Sequence, residues 1–199
     1  VKTGANINLN EYNNIFFNTG YLSKAPRFDN IYTRVNTLEE YIRNEDVKAL
    51  EGGYSFRSSI LSANFNTYYT IWENKPARFS KKIGDATYSD VVPMNALHKG
   101  IELDMSCKIN HKLSIEGLVS LGDWTWTSAD TIRLLDENNN PILDQNNNPI
   151  DTSFDADGVH VGDAAQTQYG LSVRYEPKSD IYIKLRATYF DNYYADFDP

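Results

Sequence analysis

The chain has 199 residues, of which 41% are hydrophobic and 23% charged, and its formal net charge is −8. This composition excludes a disordered or low-complexity protein. The acidic balance argues against nucleic acid as a partner, because phosphate binding needs a basic face. The single cysteine, Cys107, excludes a disulfide framework and a cysteine-based metal cluster.

Alternating apolar and polar residues predict about seven β-strands along the chain. The alternation is weak in residues 14–21 and 47–57, and clear in five later segments: 61–71, 97–109, 113–121, 168–175 and 181–189. The aromatic content of 13%, with 14 Tyr and 9 Phe, agrees, because aromatic side chains fit a pleated surface. No apolar stretch approaches the ~20 residues of a membrane helix. We therefore expect an all-β protein.

The polar positions of these strands leave two folds open. They carry charged side chains: Glu102, Asp104, Lys108, Glu116, Lys184 and Arg186. In a soluble β-sandwich these side chains would face water, whereas in a barrel they would line a wet lumen. The mean hydropathy of −0.54 fits both folds, because a membrane barrel also averages out hydrophilic.

The links between the predicted strands separate the two folds better. Tight links at 57–59, 110–112 and 177–180 alternate with long links at 23–46, 74–92 and 128–161. In an antiparallel meander, all the tight turns then lie at one end. Outer-membrane barrels have this layout, and long unstructured loops are uncommon in compact domains. The sequence therefore predicts an antiparallel up-and-down meander that forms part of a transmembrane β-barrel.

Aromatic residues lie near both ends of the predicted strands. Tyr54, Phe56 and Tyr175 precede tight turns, and a second group precedes long loops: Tyr68, Tyr69, Trp72, Trp124 and Trp126. The run Tyr189, Phe190, Tyr193 and Tyr194 stands at the corresponding end of the last predicted strand. Two such bands are expected of aromatic girdles at the two membrane interfaces. The alternative, core aromatics of a β-sandwich, stays open.

Seven segments, in order along the chain, resemble the barrel of TonB-dependent receptors from Bacteroidetes. They include GYLSKAPRFDNIY at 20–32, EDVKALEGGYSFRS at 45–58, NTYYTIWENKP at 66–76, NALHKGIELD at 95–104, GLVSLGDWTW at 117–126, VGDAAQTQYGLSVRYEP at 161–177 and ATYFDNYYADFDP at 187–199. The resemblance implies a barrel of ~22 strands, plugged by an N-terminal domain, in the cell outer membrane of a Gram-negative bacterium. Such a receptor imports a scarce nutrient with energy passed through the TonB protein.

The resemblance also implies what accompanies this chain. Residues 1–199 are expected to be one segment of the barrel, without plug, signal peptide or closing strand. The expected partners are outer-membrane lipid, the remainder of the barrel and its plug, the TonB protein through the missing N-terminal part, and a small-molecule nutrient such as a metal chelate, a vitamin or an oligosaccharide. The alternative function is a soluble β-sandwich or lectin-like binding module with long loops.

Ligand contacts are expected from the long loops. Arg27, Phe28, Tyr32 and Arg34 in the first long loop, with Trp124 and Trp126 near the end of the fifth predicted strand, are candidates to hold an anionic or ring-bearing ligand. The alternative for these residues is packing within loops and girdles.

The loop 135–151 contains a direct repeat, LDENNNPI followed by LDQNNNPI. Asp136, Asn138, Asn140 and Asp144 have the spacing of oxygen ligands in calcium loops. Pro141 and Pro149 stand where a calcium loop has Gly, and no bidentate Glu follows. An Asn-rich hairpin tip is the alternative.

No catalytic constellation is predicted. The three histidines, His98, His111 and His160, are too scattered for a local metal motif. Glu102 and Asp104 would lie about 7 Å apart by strand rise, which suits glycosidase carboxylates only loosely. The sequence has no nucleophile elbow or phosphate-binding loop. We expect neither an enzyme nor a cofactor.

Overall fold

The computed structural model describes residues 1–27, 31, 43–83, 86–134, 136 and 140–195. Ten strands are present in these ranges: β1 Lys2–Asn8, β2 Asn13–Lys24, β3 Glu45–Arg57, β4 Leu61–Ile83, β5 Ala86–Lys108, β6 Leu113–Trp126, β7 Ala129–Arg133, β8 Asp151–Asp155, β9 Ala165–Lys178 and β10 Ile181–Tyr193. Within the same ranges, no helix is long and apolar enough to cross a membrane.

Eight of these strands form one antiparallel sheet in the order β1-β2-β3-β4-β5-β6-β9-β10. Sequence neighbours lie beside each other throughout, apart from the step from β6 to β9. Between those two strands, β7 and β8 pair as a separate two-stranded sheet. The all-β, up-and-down meander predicted from the sequence is confirmed.

The predicted count of about seven strands misses β1. This strand, KTGANIN, has Ile7 as its one large apolar residue, so its alternation is too weak to stand out. It nevertheless pairs with β2 from Lys2↔Gly20 to Asn8↔Asn14. Residues 9–12 therefore form a further tight turn, closed by the Leu9 N–H donating to the Asn13 carbonyl at 2.9 Å.

The prediction that residues 74–92 form a long loop is wrong. β4 and β5 are 23 residues each and pair as far as Ile83↔Ala86. The stretch contains Pro76 and Pro93, and proline cannot donate to a sheet ladder. In the structure Pro76 lies opposite Pro93, so both missing donors fall on one rung. The polar stretch is thus a hairpin arm extending beyond the neighbouring strands.

One face of the large sheet is apolar, and we call it the apolar face. A single row of paired positions crosses all eight strands on this face: Ile7, Ile15, Tyr54, Phe65, Leu103, Val119, Tyr169 and Tyr189. Its side chains are largely exposed: the exposed fraction of Tyr189 is 59%. Leu185, on the same face of β10, is 71% exposed. Tyr54, Phe56 and Tyr175, near the tight turns, share this face.

The opposite face, the polar face, carries hydrogen-bonded polar side chains. The Glu51 carboxylate accepts from the Asn18 amide at 3.1 Å and from the Asn66 amide at 2.9 Å. Nearer the tight turns, Glu116 accepts from Ser172 at 3.1 Å and pairs with Lys184 at 2.7 Å. All the charged residues that the alternation assigned to one side lie on this face, so each strand presents opposite chemistry on its two sides.

A hydrophobic core lies at the loop end of the polar face. Residues 127–164, which we call the loop unit, fold back onto this face and bury the ends of β5 and β6. The core consists of Val92, Met94, Ala96, Trp126, Leu134, Phe154, Ala156 and Val161. Met94 and Ala156 are fully buried, at 0% exposure. The long link at 128–161 is therefore a packed unit with its own hairpin, β7–β8.

The direct repeat closes on itself inside the loop unit. Three apolar residues eight positions apart form a ring of backbone hydrogen bonds: the Ile142 N–H donates to Leu134, the Ile150 N–H to Ile142, and the Leu134 N–H to Ile150, at 2.9, 2.8 and 3.0 Å. Leu134 is buried in the core, and Ile142 and Ile150 pack against it. Because the repeat has a period of eight, the apolar residue of each repeat lies in the core or packs against it.

Candidate functional site

Six side chains gather at the loop end of the polar face, and we call them the aromatic patch: Tyr68, Trp72, Lys75, His98, Trp124 and Trp126. They come from β4, β5 and β6, where His98 lies opposite Trp124, and Ala96 lies between Trp72 and Trp126 in the register. These three tryptophans are all that the sequence contains. The two tryptophans predicted as ligand contacts are thus placed side by side with a third.

This placement corrects the girdle interpretation for four residues. A membrane girdle needs aromatic rings on the lipid-facing side of each strand. The register puts Tyr68, Trp72, Trp124 and Trp126 on the polar face, whereas Tyr69 alone of that group lies on the apolar face. Position along the strand suggested the girdle, but the parity of each residue decides its face.

Two opposed glycines make room for the rings of Tyr68 and Trp124. Gly100 pairs with Gly122 across β5 and β6. A Cβ at Gly100 would lie 2.5 Å from the Tyr68 hydroxyl, and one at Gly122 would lie 2.8 Å from Trp124 Nε1. Over this gap the Trp124 Nε1–H donates to the Tyr68 hydroxyl at 2.8 Å. The two rings therefore lie close against the backbone of the sheet.

A histidine and a lysine complete the patch. The His98 ring lies between two indoles, 6.2 Å from Trp72 and 5.5 Å from Trp124 by ring centroids. Lys75 Nζ lies 5.2 Å from the Trp72 ring centroid and 4.8 Å from that of Trp126. At these distances the ammonium is attracted by both ring faces.

A β-bulge places Lys75 in the patch. The register of β4 and β5 shifts between Trp72 and Lys75, and Asn74 within this shift has a φ of 57°. Asn tolerates this left-handed conformation better than most residues. Because of the shift, Lys75 lies opposite Met94 and shares the polar face with Trp72.

A buried glutamine holds the backbone of Trp124. The β6–β9 ladder ends at Leu121↔Thr167. Beyond that point the Gln166 side chain, 2% exposed, accepts the Trp124 N–H at 2.9 Å and donates to the Trp124 carbonyl at 2.9 Å. Its amide also donates to the Val161 carbonyl at 3.1 Å. Gln166 thereby replaces one rung of the ladder and ties the loop unit to β6.

The patch contains buried donors without acceptors. Within the part of the chain that the structure describes, Trp72 Nε1 and Trp126 Nε1 have no hydrogen-bond partner, and Trp126 is only 2% exposed. Buried polar groups in native proteins are nearly always hydrogen-bonded. The patch therefore combines ring faces, a cation and two free N–H groups.

Of the other predicted ligand residues, Arg27 is the one that the structure describes, and it is not part of the patch. Arg27 is exposed after the end of β2, and no hydrogen bond, ion pair or ring contact joins it to the patch. Phe28, Tyr32 and Arg34 lie outside the described residues. Lys75 and Gln166 were not among the residues predicted from the sequence. Continuing the alternation of 113–121 by three residues would have placed Trp124 on the polar side.

The calcium candidates form two hydrogen-bonded turns. The Asp136 carboxylate accepts the Asn140 N–H at 2.8 Å, and the Asp144 carboxylate accepts the N–H groups of Asn146 and Asn148 at 2.8 Å each. These bonds hold the pKa of Asp144 below its ordinary value of 3.8, with the Asn148 N–H contributing most. Within the described part of the chain, which excludes Asn138, no group of three His, Cys, Asp or Glu is placed to hold a metal ion. Calcium binding stays a prediction.

The fold is similar to that of known transport proteins, although no family model and no curated protein matches the sequence. The chain superimposes on the copper transporter OprC with a TM-score of 0.61 at 11% identity, covering 89% of this chain and 24% of OprC. It also superimposes on the FrpB iron transporter from Neisseria meningitidis, with a TM-score of 0.62 at 17% identity and coverages of 95% and 26%. A third match is the ferric-catecholate import receptor Fiu from E. coli, with a TM-score of 0.57 at 16% identity and coverages of 95% and 24%.

The chain has the fold of a segment of these β-barrels. It spans about a quarter of the length of each matched protein. At these identities the likeness concerns the fold and leaves cargo and mechanism open. It agrees with a meander of eight strands that pairs in sequence order, and whose outermost strands, β1 and β10, each have one neighbour.

Proposed function

We propose that the chain is a segment of the wall of a TonB-dependent receptor in the cell outer membrane of a Gram-negative bacterium. The receptor imports a scarce nutrient, and its sequence is of the Bacteroidetes type. Fold similarity to a copper transporter, an iron transporter and a ferric-catecholate import receptor supports the transport role. The series of sequence segments that resemble Bacteroidetes receptors supports the finer assignment.

The apolar row across all eight strands is the observation that carries this proposal. In water, a continuous apolar surface of this width would drive association, because monomeric soluble proteins rarely expose one. In a bilayer, the same surface faces hydrocarbon chains. A soluble β-sandwich would need a second sheet on this face, but in the described ranges β7 and β8 belong to the unit that packs on the opposite face. Outer-membrane lipid is therefore the partner that we propose for the apolar face.

The polar face then lines the lumen. Its Asn, Glu and Lys side chains form hydrogen bonds with one another, as in the ladder of Asn18, Glu51 and Asn66. A wet lumen supports such a surface, which hydrocarbon would not. The aromatic patch and the loop unit lie on this side, at the end away from the tight turns. A plug domain and the imported nutrient would approach the wall from the same side.

Strands β1 and β10 would continue into the rest of the barrel. Among the described residues each pairs with one neighbour only, and every residue of both strands is exposed. Exposed sheet edges present unpaired N–H and carbonyl groups that bind further strands. If the remaining strands of the barrel closed around the lumen, they would hydrogen-bond the unpaired backbone groups of both edges. We propose no catalytic role, and the class of nutrient stays open among metal chelates, vitamins and oligosaccharides.

Lipid contact at two adjacent residues of β5 tests the proposal. In the complete receptor carrying Cys107→Ser, the variants Leu103→Cys and Glu102→Cys are labelled with a fluorophore and reconstituted into brominated phospholipids. Bromine on the lipid acyl chains quenches the fluorophore only when the two are close to van der Waals contact. We expect quenching of the label at position 103 and little at 102, because successive strand residues face opposite sides.

Equal quenching at both positions would rule out a lipid-facing wall. Fractionation provides the control for location: the complete protein should co-sediment with outer-membrane porins. A monomeric, detergent-free soluble protein would instead favour the β-sandwich or lectin-like module.

A further inference from the structure

The geometry points to a headgroup-binding band on the apolar face, where outward-facing polar and charged side chains at the loop end of the strands contact the polar headgroup layer of the membrane. We call these side chains the charged band: Tyr21, Asp46, Lys48, Glu73, Lys99 and Asp123. The inference deepens the proposed function and rests on it in one respect, namely that the apolar face contacts lipid chains. It adds the depth at which the strands leave the hydrocarbon.

The charged band lies on the same face as the apolar row. Residues an even number of positions apart on a strand share a face. Lys99 lies four residues from Leu103 of the row and pairs with Asp123 of β6. Lys48 lies six residues from Tyr54 of the row on β3. The register places the other members on this face as well: Tyr21, Asp46 and Glu73.

Two ion pairs join neighbouring strands within the band. Lys48 Nζ lies 2.7 Å from the Glu73 carboxylate, and Lys99 Nζ lies 3.0 Å from that of Asp123. The two lysine side chains stay about half exposed, at 51% and 49%. The medium around the receptor therefore contacts them directly and has to solvate their charge.

Hydrocarbon does not solvate such pairs. A charged side chain on the lipid face of a barrel is most costly at the bilayer midplane and costs little near the interfaces. Pairing does not remove this cost, because each ion still loses its water. The headgroup layer supplies water and polar groups. The charged band therefore marks the depth at which the hydrocarbon ends.

A tyrosine of the band has the two-sided chemistry of a membrane interface. The Tyr21 hydroxyl donates to the Asp46 carboxylate at 2.9 Å, while the side chain is 45% exposed on the apolar face. A ring with one apolar body and one hydrogen-bonded tip suits the boundary between lipid chains and water. Tyr21 thus agrees with the depth that the two ion pairs indicate.

The length of the apolar run below the band fits a bilayer. On β6 the outward positions from Leu113 to Leu121 carry no charged side chain, and Asp123 follows. The steps from 113 to 121, at about 3.4 Å each, give about 27 Å along the strand. A strand tilted by about 40° then crosses about 21 Å, close to the apolar band of about 25 Å in outer-membrane barrels. β5 repeats this pattern below Lys99.

The same depth places the loop end of the molecule outside the hydrocarbon. β4 and β5 continue to pair beyond the band, as far as Ile83↔Ala86. The whole hairpin arm therefore extends past the headgroup layer, as does the loop unit on the other face. This agrees with the polar character of the arm.

The competing occupant of the band is a second protein. The cores of protein interfaces are depleted in Lys, Glu and Asp relative to the rest of the surface. The band consists mainly of these residue types, and its lysines already pair with acids of the same sheet. Lipid headgroups therefore fit the band better than a protein partner does.

Two quenchers at different depths test this inference in the complete receptor carrying Cys107→Ser, reconstituted into lipid vesicles. One is bromine at the middle of the acyl chains, and the other is a nitroxide on the lipid headgroup. A fluorophore is attached in turn to Lys99→Cys, Asp46→Cys and Leu103→Cys. We expect the nitroxide to quench the labels at 99 and 46 severalfold more than bromine does, with the reverse ranking at 103.

Two comparisons guard against artefacts of substitution. Lys99→Cys removes one ion pair, whereas Asp46→Cys leaves both pairs in place, so agreement between these labels shows that the ranking does not come from a broken pair. Glu102→Cys is the matched control on β5, because this position lies on the polar face. Its label should be quenched only weakly by either probe.

Three outcomes decide between the band and the wall. If bromine quenches the labels at 99 and 46 as strongly as the nitroxide does, the band lies in hydrocarbon and the inference is overturned. If neither probe quenches these labels, a protein or bulk water covers the band, which also overturns it. In both cases bromine quenching at 103 still supports the lipid-facing wall, and its absence is the result that sinks the wall assignment itself.

Discussion

The side chain of Gln166 pairs with the backbone of Trp124 as a neighbouring strand would. It accepts the Trp124 N–H and donates to the Trp124 carbonyl, both at 2.9 Å, beyond the last paired residues of the β6–β9 ladder, Leu121↔Thr167. A third bond, to the Val161 carbonyl at 3.1 Å, joins the loop unit to the same point. One amide thus fixes the strand that carries Trp124 and the segment that covers it.

We expect Gln166→Leu to destabilise the loop end of the wall. The substitution leaves the Trp124 N–H and the Val161 carbonyl without this partner, and unpaired buried groups cost about 1–3 kcal/mol each. The Trp124 carbonyl still accepts the Val161 N–H at 2.9 Å. The measurement is the free energy of unfolding in urea of the receptor in lipid vesicles. Gln168→Leu is the matched control on the same strand, since the Gln168 side chain forms no hydrogen bond in the described structure. Similar losses in the two variants would contradict the assigned role of Gln166.

Gly100→Ala should be destabilising, and Gly117→Ala should be tolerated. A Cβ at Gly100 would lie 2.5 Å from the Tyr68 hydroxyl and 2.6 Å from the Leu121 carbonyl oxygen, whereas nothing lies within 4 Å of one at Gly117. Because Leu121 contributes backbone, the clash cannot be relieved by a side-chain rotation alone. Overpacking of this kind costs about 1–3 kcal/mol. Urea unfolding of both variants checks this prediction, and a neutral Gly100→Ala would show that the Tyr68 ring does not lie over the glycine gap.

Phe154→Ala should detach the loop unit from the polar face and leave the eight-stranded sheet folded. Phe154 is 6% exposed in the core shared with Met94 and Trp126, and removal of a buried phenylalanine costs about 3–5 kcal/mol. Protease cleavage between residues 127 and 164, in intact outer-membrane vesicles, should accelerate by at least about tenfold if it follows local opening. Leu143→Ala, at a residue 49% exposed in the same unit, should cleave at the wild-type rate. Unchanged cleavage of Phe154→Ala would mean that the loop unit is not held by this core.

The tip of the loop unit should loosen in acid. Hydrogen bonds from Asn148 and Asn146 lower the pKa of Asp144, and Arg133 lowers that of Asp151, both from 3.8. A lowered pKa means that the ionised carboxylates stabilise the folded loop. Their contribution is complete above about pH 4 and is lost as the pH falls through the folded-state values.

Amide hydrogen exchange of residues 140–151 as a function of pH, corrected for intrinsic rates, measures this loosening. In Asp144→Asn the side-chain oxygen still accepts the two N–H bonds but no longer titrates. That variant should therefore keep only the part of the acid response that belongs to Asp151. An undiminished response would exclude Asp144 as its source.

The sequence by itself determined the class of fold and the two-sided chemistry of each strand. Strict alternation suffices for this, because side chains on a strand point to opposite faces with a period of two. Continued three residues beyond 121, the same alternation gives the polar side for Trp124, but the prediction used only its position near a loop and suggested a girdle. Three tight turns were equally visible, because Asn110-His111-Lys112 and similar stretches are local in sequence, whereas the turn at 9–12 was missed together with β1.

Only the tertiary structure decided how the loop end is built. Lys75 reaches the patch through a bulge, and a register shift of this kind does not change the composition of a segment. The extended β4–β5 arm depends on Pro76 and Pro93 facing each other, which is a relationship between distant residues. Gln166 acts on Trp124 across 42 positions of sequence. These features are contacts between separate elements, whereas periodicity reports only the local conformation of one element.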